Sequence, residues 1–290
     1  MLGLRQRVLF ELSRRLVKPA GDHVQDMDKY VAWRGEALAR SWRHFSDADI
    51  AGKDVIDFGS GKGNLTFYLA ERKPRSIVGV ELHGPSAAEC QRQAEERDFG
   101  DTKVSFVQGS PDGIPLPDAC ADTLLAFDVI EHVMEPDVIV REWRRVLRPG
   151  GKVLLEWCPY RSPWAPHMEA MIPIPWAHFV FGEKALFRTA ERLYDEEEKV
   201  LRPWNYDDDG NLMPNKWRAW SSFAEQGYIN QLNVAPFKAL VGRYDFDVGR
   251  FEHVTFSSLP ARDVLAPVLM RIPVVNELMA SYVVGELVRR

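Results

Sequence analysis

Short apolar runs alternate with longer segments of helical periodicity through the first half of the chain. Five runs have the length and the β-branched composition of buried strands, namely Val55–Phe58, Ile77–Glu81, Val104–Val107, Thr123–Phe127 and Val153–Trp157. Helices are predicted between them over Asn64–Arg72, Ser86–Asp98 and Asp137–Leu147. Strands that alternate with helices form βαβ units, so the pattern predicts a doubly wound, Rossmann-like α/β sheet of mostly parallel strands.

The strand–helix alternation stops between residues 159 and 228, where prolines, tryptophans and charged residues replace the strands. A helix over Glu191–Val200 and a loop over Pro203–Pro214 are predicted within this segment. The alternation resumes with a helix near Val234–Val241 and strands near Phe246–Ser257 and Ser281–Val288. We therefore predict four parts: an N-terminal helical segment (1–50), a core (51–158), an inserted cap (159–228) and a C-terminal completion of the sheet (229–290).

Two helical patterns precede the first strand, one over residues 4–17 and one over Asp26–Phe45. In the first, one face carries the apolar residues Leu4, Val8, Leu9, Leu12, Leu16 and Val17, and the basic residues lie largely elsewhere. A basic amphipathic helix can make weak contact with an anionic membrane surface or a partner, or it can pack on its own domain. Packing on the domain is the commoner outcome.

Composition narrows the class of protein. A chain of 290 residues, 46% of them hydrophobic, is long enough for one large domain with an elaborated cap. The formal net charge of −5 argues against a general nucleic-acid binder. Cys90, Cys120 and Cys158 are widely spaced, which predicts neither a disulfide framework nor a zinc site. Without a clear signal peptide or a charge-free run of membrane-spanning length, we expect a cytoplasmic protein.

The first predicted strand ends in an acid and continues into glycines at alternate positions: Asp57, Gly59, Gly61 and Gly63. Glycine has no Cβ, so the chain can turn sharply and a ligand can approach the backbone; the alternative is a tight structural turn. A dinucleotide fingerprint would need a glycine where Asn64 stands, which disfavours a nicotinamide cofactor. Glu81 ends the second strand and is placed to accept both hydroxyls of a ribose, unless it is merely a surface acid.

This glycine spacing resembles motif I of the class I S-adenosylmethionine-dependent methyltransferases, whose fold has a seven-stranded sheet. Three further landmarks of that family follow in order, at Gln108–Asp118, at Leu124–Val133 and at Arg148–Lys152. The second landmark contains Glu131-His132-Val133, a turn after strand four that is frequent in small-molecule members. The resemblance covers residues from about 52 to 158.

The resemblance implies S-adenosylmethionine as the cofactor and an Asp57 that holds its methionine amino group, directly or through water. The implied cofactor-binding residues are Asp57, Gly59, Ser60, Gly61, Gly63, Glu81, Leu82, Gly109, Ser110, Pro111 and Asp128. Ser110 stands where the family often has an acid that contacts the adenine amine. A hydroxyl is a weaker acceptor than a carboxylate, and the neighbouring Asp112 can substitute for it.

Methyl transfer from a sulfonium needs alignment of the acceptor and, for a protonated acceptor, a base; neither a metal nor a protein nucleophile is required, and no metal site is predicted. The candidate catalytic bases are His132, His167 and His178. The last two follow strand five among the aromatic residues Trp164, Trp176, Phe179 and Phe181. These aromatics predict either an apolar acceptor pocket or a hinge packed under the cap.

We therefore expect a methyltransferase that acts on a small organic acceptor, with oxygen slightly favoured. The size of the insertion suggests a natural-product scaffold or a lipid- or sugar-linked acceptor. The alternative is a non-catalytic scaffold or sensor that binds S-adenosylmethionine. Asn205–Lys216 begins like a calcium-binding EF-hand loop but ends in lysine instead of glutamate, so an exposed acidic turn is favoured there.

Overall fold

The computed structural model describes residues 3–19, 21, 27–207, 209–255 and 273–290. Strands β1 to β7 span Asp54–Phe58, Ser76–Glu81, Lys103–Gln108, Ala121–Phe127, Leu147–Trp157, Phe246–Thr255 and Ala280–Arg289. They form a seven-stranded sheet in the order β3-β2-β1-β4-β5-β7-β6. Strand β7 runs antiparallel to both of its neighbours, whereas the pairings among β1 to β5 are parallel. This confirms the predicted doubly wound class.

Ten α-helices are described, in chain order α1 (Leu4–Leu16), α2 (Met27–Ser41), α3 (Asn64–Ala70), α4 (Gly84–Glu96), α5 (Pro136–Val146), α6 (Ala177–Val180), α7 (Glu183–Glu196), α8 (Phe223–Gln226), α9 (Val234–Arg243) and α10 (Pro273–Leu278), beside short 3-10 helices. Helices α6 and α8 are single turns. Within the described ranges, no helix combines the length and the apolar character that crossing a membrane demands.

The expected ligand site lies at the carboxyl end of the central strand β1. Its residue Asp57 is opposite Gly79 of β2 on one side and Leu125 of β4 on the other. The strand order reverses between β1 and β4, because β2 and β3 follow on one side and β5 on the other. In open α/β sheets this switch point is where ligands bind, beyond the carboxyl ends of the strands.

Apolar side chains cover both faces of the sheet. On one face Trp143 of α5 and Phe237 of α9 are fully buried against Trp157 of β5. On the other, Leu69 of α3 and Trp42, which follows α2, pack on the sheet. Burying each of these large side chains contributes about 2–3 kcal/mol, so the two layers hold the strand ends in fixed register.

A separate apolar cluster holds the insertion together. Phe187 of α7 and Phe223 of α8 are fully buried, and Leu9 and Phe10 of α1 belong to the same cluster. Trp42 instead joins the cluster under the sheet. The structure therefore distributes the predicted N-terminal segment between two cores, with α1 on the cap and the end of α2 on the sheet.

The expected apolar face of α1 is wrong in detail. The buried positions of this helix are Leu9, Phe10 and Ser13, followed by Val17. The stripe Leu4, Val8, Leu12 and Leu16 is exposed. Helical periodicity places all these residues on a broad apolar arc but does not indicate which edge of the arc a neighbour covers.

Two predicted boundaries also differ from the structure. Helix α7 begins after Gly182, whose φ of 82° lies outside the helical region, and it ends at Glu196, so the predicted Glu191–Val200 catches only its second half. Strand β5 begins at Leu147, not at the predicted Val153, so the landmark at Arg148–Lys152 lies within the strand, where the register with β4 shifts. Asp26 and Ser257, predicted ends of a helix and a strand, lie outside the described residues.

Candidate active site

The three glycines after β1 all have positive φ, at 78°, 54° and 76°, but they face different surroundings. A Cβ on Gly59 would come within 2.4 Å of the Val129 side chain, and one on Gly63 within 2.8 Å of Phe67. A Cβ on Gly61 would meet nothing within 4 Å. Gly59 and Gly63 are therefore needed for packing, whereas Gly61 faces open space that a ligand can fill.

Asp57 is a buried acid directly beneath this loop. Its Oδ2 accepts a hydrogen bond of 2.5 Å from the hydroxyl of Thr66. Burial, opposed by the hydrogen bonds from Thr66 and reinforced by the nearby Glu81, raises the pKa of Asp57 to about 6. The ionised form of a buried carboxylate is stabilised by a cationic partner, such as the ammonium group of an amino acid.

Glu81 ends β2 at the rim of the same loop. Its two carboxylate oxygens accept hydrogen bonds of 2.8 Å from the amides of Gly61 and His83. The next residue, Leu82, is more than half exposed and offers an apolar surface beside the acid. The predicted ribose-binding acid thus lies next to the open glycine.

The predicted adenine segment is a turn that follows β3. The Gly109 amide donates to the Glu81 carbonyl at 2.9 Å, and Ser110 bridges to Gly113. The Ser110 hydroxyl accepts a hydrogen bond of 3.3 Å from the Asp112 amide. These residues fit the groups of S-adenosylmethionine. The buried Asp57 suits its ammonium group, Glu81 suits its ribose and the exposed Leu82 suits its base, while the open side of Gly61 leaves room for the ligand.

Asp128 follows β4 with a φ of 54° and pairs with an arginine that sequence analysis missed. Its carboxylate accepts a hydrogen bond from the guanidinium of Arg34 on α2. Burial acts to raise the pKa of Asp128, but the charge of Arg34 and the nearby His167 hold it below its usual value. The available signal was the spacing of Tyr30 and Arg34, which places both on one face of α2.

Glu131 is buried in the single-turn helix Ile130–His132. Its Oε1 accepts a hydrogen bond of 3.2 Å from the Cys158 amide, whereas its Oε2 meets no hydrogen-bond donor among the described residues. Burial, followed by the adjacent Asp128, raises the pKa of Glu131 well above its ordinary value. Asn230 fixes this turn, because its side-chain amide donates to the carbonyls of Ile130 and Val133, both at 2.7 Å.

The structure brings two of the three predicted histidines together beside Glu131. The rings of His132 and His167 meet edge to face, with centroids 5.1 Å apart. The His167 Nε2 lies 3.7 Å from Glu131 Oε1. Burial lowers the pKa of both imidazoles, that of His167 to about 4, so both are neutral near pH 7. We call Asp128, Glu131, His132 and His167 the β4 cluster.

The third histidine lies elsewhere. His178 is buried in the cap, where its Nε2 is 2.9 Å from the Tyr160 carbonyl and its ring contacts Phe179. Two of the aromatic residues named for the predicted acceptor pocket make other contacts, because the Trp176 indole donates to the Leu278 carbonyl and Phe181 packs on the apolar cluster of the insertion. Among the described contacts of His178, none joins it to the β4 cluster.

The loop that resembles an EF-hand is a self-contained turn. The Asp207 carboxylate accepts the amides of Asp209 and Asn211 at 3.1 and 2.7 Å, and the Asn205 side chain accepts the Arg202 amide. These carboxylate and amide oxygens are thus already used by the backbone. The arrangement is that of the exposed acidic turn favoured from the sequence.

Comparisons with known proteins support the interpretation of the sheet and loop. Residues 56–155 match a family described as a methyltransferase domain. The chain is 33% identical over 110 residues to a fatty-acid O-methyltransferase from Mycolicibacterium smegmatis, covering 38% of each protein. It is 26% identical over 158 residues to norajmaline N-methyltransferase from Rauvolfia serpentina, covering 54% of this chain and 46% of that enzyme. The chain thus spans about half or less of these relatives.

Among solved structures, an S-adenosylmethionine-dependent methyltransferase from Mesorhizobium loti superposes with a TM-score of 0.50 at 13% identity. The superposition covers 88% of this chain and 96% of that one, so the likeness extends through the fold. The matched residues 56–155 contain the glycine loop, Glu81 and most of the β4 cluster. Residues 56–155 therefore form a methyltransferase domain, the surrounding fold is that of S-adenosylmethionine-dependent methyltransferases, and the cofactor that this domain and fold imply is S-adenosylmethionine.

Proposed function

We propose that the protein transfers a methyl group from S-adenosylmethionine to an oxygen atom of a small organic acceptor. The observation that carries the proposal is the contact between the glycine loop and Val129, which lies between Asp128 and Glu131 of the β4 cluster in sequence. Val129, which follows Asp128, fills the space against Gly59. A cofactor over the loop and an acceptor at the cluster would therefore be neighbours, as a direct transfer requires.

The residues around the glycine loop would bind the cofactor. Asp57 would hold its ammonium group, Glu81 its ribose hydroxyls, and the exposed Leu82 the apolar face of the adenine. The space opposite Gly61 admits the cofactor to the backbone. When bound, S-adenosylmethionine supplies an electrophilic methyl group, so the chain itself needs only to position the acceptor and exclude water.

The β4 cluster supplies the groups that an oxygen acceptor needs. The unpartnered Oε2 of Glu131 can accept the acceptor's O–H hydrogen bond, and Arg34 offers positive charge to an oxygen that loses its proton. Tyr228, stacked on His132 with ring centroids 4.2 Å apart, covers one side of the cluster. This set of acidic, imidazole and cationic groups favours oxygen, whereas an amine acceptor would need no such stabilised anion.

An apolar strip on the exposed face of α1, the helix that packs on the cap, favours a lipid-like acceptor. The stripe Leu4, Val8, Leu12 and Leu16 leaves an apolar strip on α1, and the exposed Arg5 and Arg15 lie on the same helix. Such a helix can lie on an anionic lipid surface. The fatty-acid O-methyltransferase among the relatives acts on an acceptor of this kind, which supports a lipid-linked or fatty-acid substrate for this chain.

The test is a panel of acceptors incubated with methyl-labelled S-adenosylmethionine. We expect label on hydroxylated or carboxylic apolar acceptors and none on matched amines of the same carbon skeleton. Label on amines alone would refute the oxygen preference. Cofactor binding with no label across a broad panel would favour the non-catalytic scaffold.

A further inference from the structure

We propose that Glu131, His132 and His167 bind a divalent transition-metal cation beside the methyl donor, in contrast to the expectation from sequence. One ligand atom from each of these three residues can be chosen so that all lie within 4.8 Å of one another. Two imidazoles and one carboxylate suit zinc, cobalt or ferrous iron, whereas magnesium and calcium prefer oxygen ligands.

The carboxyl group of Glu131 provides evidence for the cation that is independent of this proximity. Glu131 is 1% exposed, and no donor group in the described part of the chain reaches its Oε2. A buried oxygen without a partner costs free energy, so such atoms are rare in folded proteins. The Asp128 carboxyl faces the same group, and two carboxylates cannot bond to each other without a shared proton or a cation between them.

The hydrogen bond of His132 leaves its Nε2 available to bind a cation. Its Nδ1 lies 3.0 Å from the Tyr228 carbonyl, which can only accept, so Nδ1 carries the hydrogen and Nε2 keeps its lone pair. Metal-binding histidines are typically oriented in this way, by a carbonyl on the nitrogen that does not bind the metal. The stacked Tyr228 ring fixes the plane of the imidazole.

His167 approaches the same point from the insertion. Its Nε2 lies 3.7 Å from Glu131 Oε1, a separation that a cation between the two atoms can span. The nearby positive charge of Arg34 is paired with Asp128. That pairing leaves the carboxylate of Glu131 as the anionic ligand, so the cation would meet one negative and two neutral donors.

Three protein ligands leave coordination positions open, which indicates the class of acceptor. An acceptor with two adjacent oxygens, such as a vicinal diol or a hydroxy acid, could chelate the cation and lose one hydroxyl proton to solvent. That oxygen's lone pair would then form the O–CH₃ bond as the C–S bond breaks, with its electron pair left on a neutral thioether sulfur. This acceptor class rests on the proposed function; the cation site does not.

The test is calorimetric titration of the full chain, freed of purification tag and treated with chelator, with zinc and separately with cobalt. We expect one ion per chain, a visible absorption band with cobalt, and little binding of magnesium. Glu131→Gln and His167→Ala should each weaken zinc binding about 100-fold or more. The matched control is His178→Ala, another buried histidine, which should bind zinc like the original protein.

Thermal unfolding of the same samples guards against a folding defect, because zinc should raise the midpoint of the original protein and of His178→Ala but not of Glu131→Gln. Absence of zinc and cobalt binding to the original protein, or equal binding by Glu131→Gln and His167→Ala, would overturn the inference. Titration with S-adenosylmethionine is run alongside. Cofactor binding without metal binding refutes only the cation site, whereas metal binding without cofactor binding refutes only the proposed function.

Discussion

The guanidinium of Arg34 donates a hydrogen bond to the carboxylate of Asp128, which ties helix α2 to the carboxyl end of β4. Tyr30, one turn earlier on α2, contacts Trp204 of the insertion, with ring centroids 5.0 Å apart. Helix α2 therefore joins the sheet to the cap directly beside the β4 cluster. The proposed acceptor site combines three distant parts of the sequence, and we expect its geometry to depend on this pair.

Replacing Arg34 with leucine should lower the free energy of unfolding by about 1–2 kcal/mol, because Asp128 would lose its counterion in a partly buried position. Urea unfolding checks this. The control is Arg40→Leu on the same helix, whose ion pair with Glu36 is exposed and should contribute less than about 0.5 kcal/mol. Equal effects of the two changes would mean that the Arg34–Asp128 pair does not fix the site.

Binding of S-adenosylmethionine should weaken in acid because of Asp57. The pKa of Asp57, about 6, lies above its ordinary value of 3.8. The protonated carboxyl therefore stabilises the folded, cofactor-free protein at low pH, and this contribution to stability is lost as the pH rises through about 6. The cofactor's ammonium needs the ionised form. Calorimetry should therefore show affinity that is nearly constant from pH 6.5 to about 7.5 and falls about tenfold per unit well below pH 6.

Asp57→Asn is the control for this pH profile. The variant should bind the cofactor weakly at every pH tested, because an amide cannot ionise, while remaining folded at neutral pH. A variant that keeps the original acid dependence would assign the titration to another group.

Gly61 and Gly63 of the glycine loop should respond differently to substitution by alanine. Gly61→Ala adds a Cβ in open space, so it should cost stability only about 1 kcal/mol for its positive φ, but it should strongly weaken cofactor binding. Gly63→Ala adds a clash with Phe67 and should cost about 2–4 kcal/mol. Paired unfolding and binding measurements distinguish them. Normal cofactor affinity in Gly61→Ala would place the ligand elsewhere.

Substitutions on the exposed strip of α1 should affect lipid binding but not stability, whereas substitutions on its buried face should affect stability. Changing Val8 and Leu12 to aspartate should alter the free energy of unfolding by less than about 0.5 kcal/mol each, whereas Phe10→Ala should cost about 3–5 kcal/mol. Sedimentation with vesicles of anionic phospholipid should detect binding of the original chain and its loss in the aspartate variant. If neither form sediments, the strip does not contact lipid.

Features that depend on neighbouring residues could be predicted from the sequence. Asp57 and the glycines at alternate positions mark the loop because one strand and one turn determine it, and Glu81 follows from the next strand end. The side chains that complete the β4 cluster could not be predicted, since Arg34 and Tyr228 reach it only through packing of α2 and the cap. His167 and His178 have similar aromatic surroundings in sequence, and only the fold separates them.

The most direct test of the central claim is calorimetry of the full chain with S-adenosylmethionine, S-adenosylhomocysteine and NAD at neutral pH. The open space at Gly61, the acid at Asp57 and the acid at Glu81 predict one site that binds the first two ligands and not NAD. Absence of binding by both S-adenosylmethionine and S-adenosylhomocysteine would contradict the assignment of this loop as the methyl-donor site.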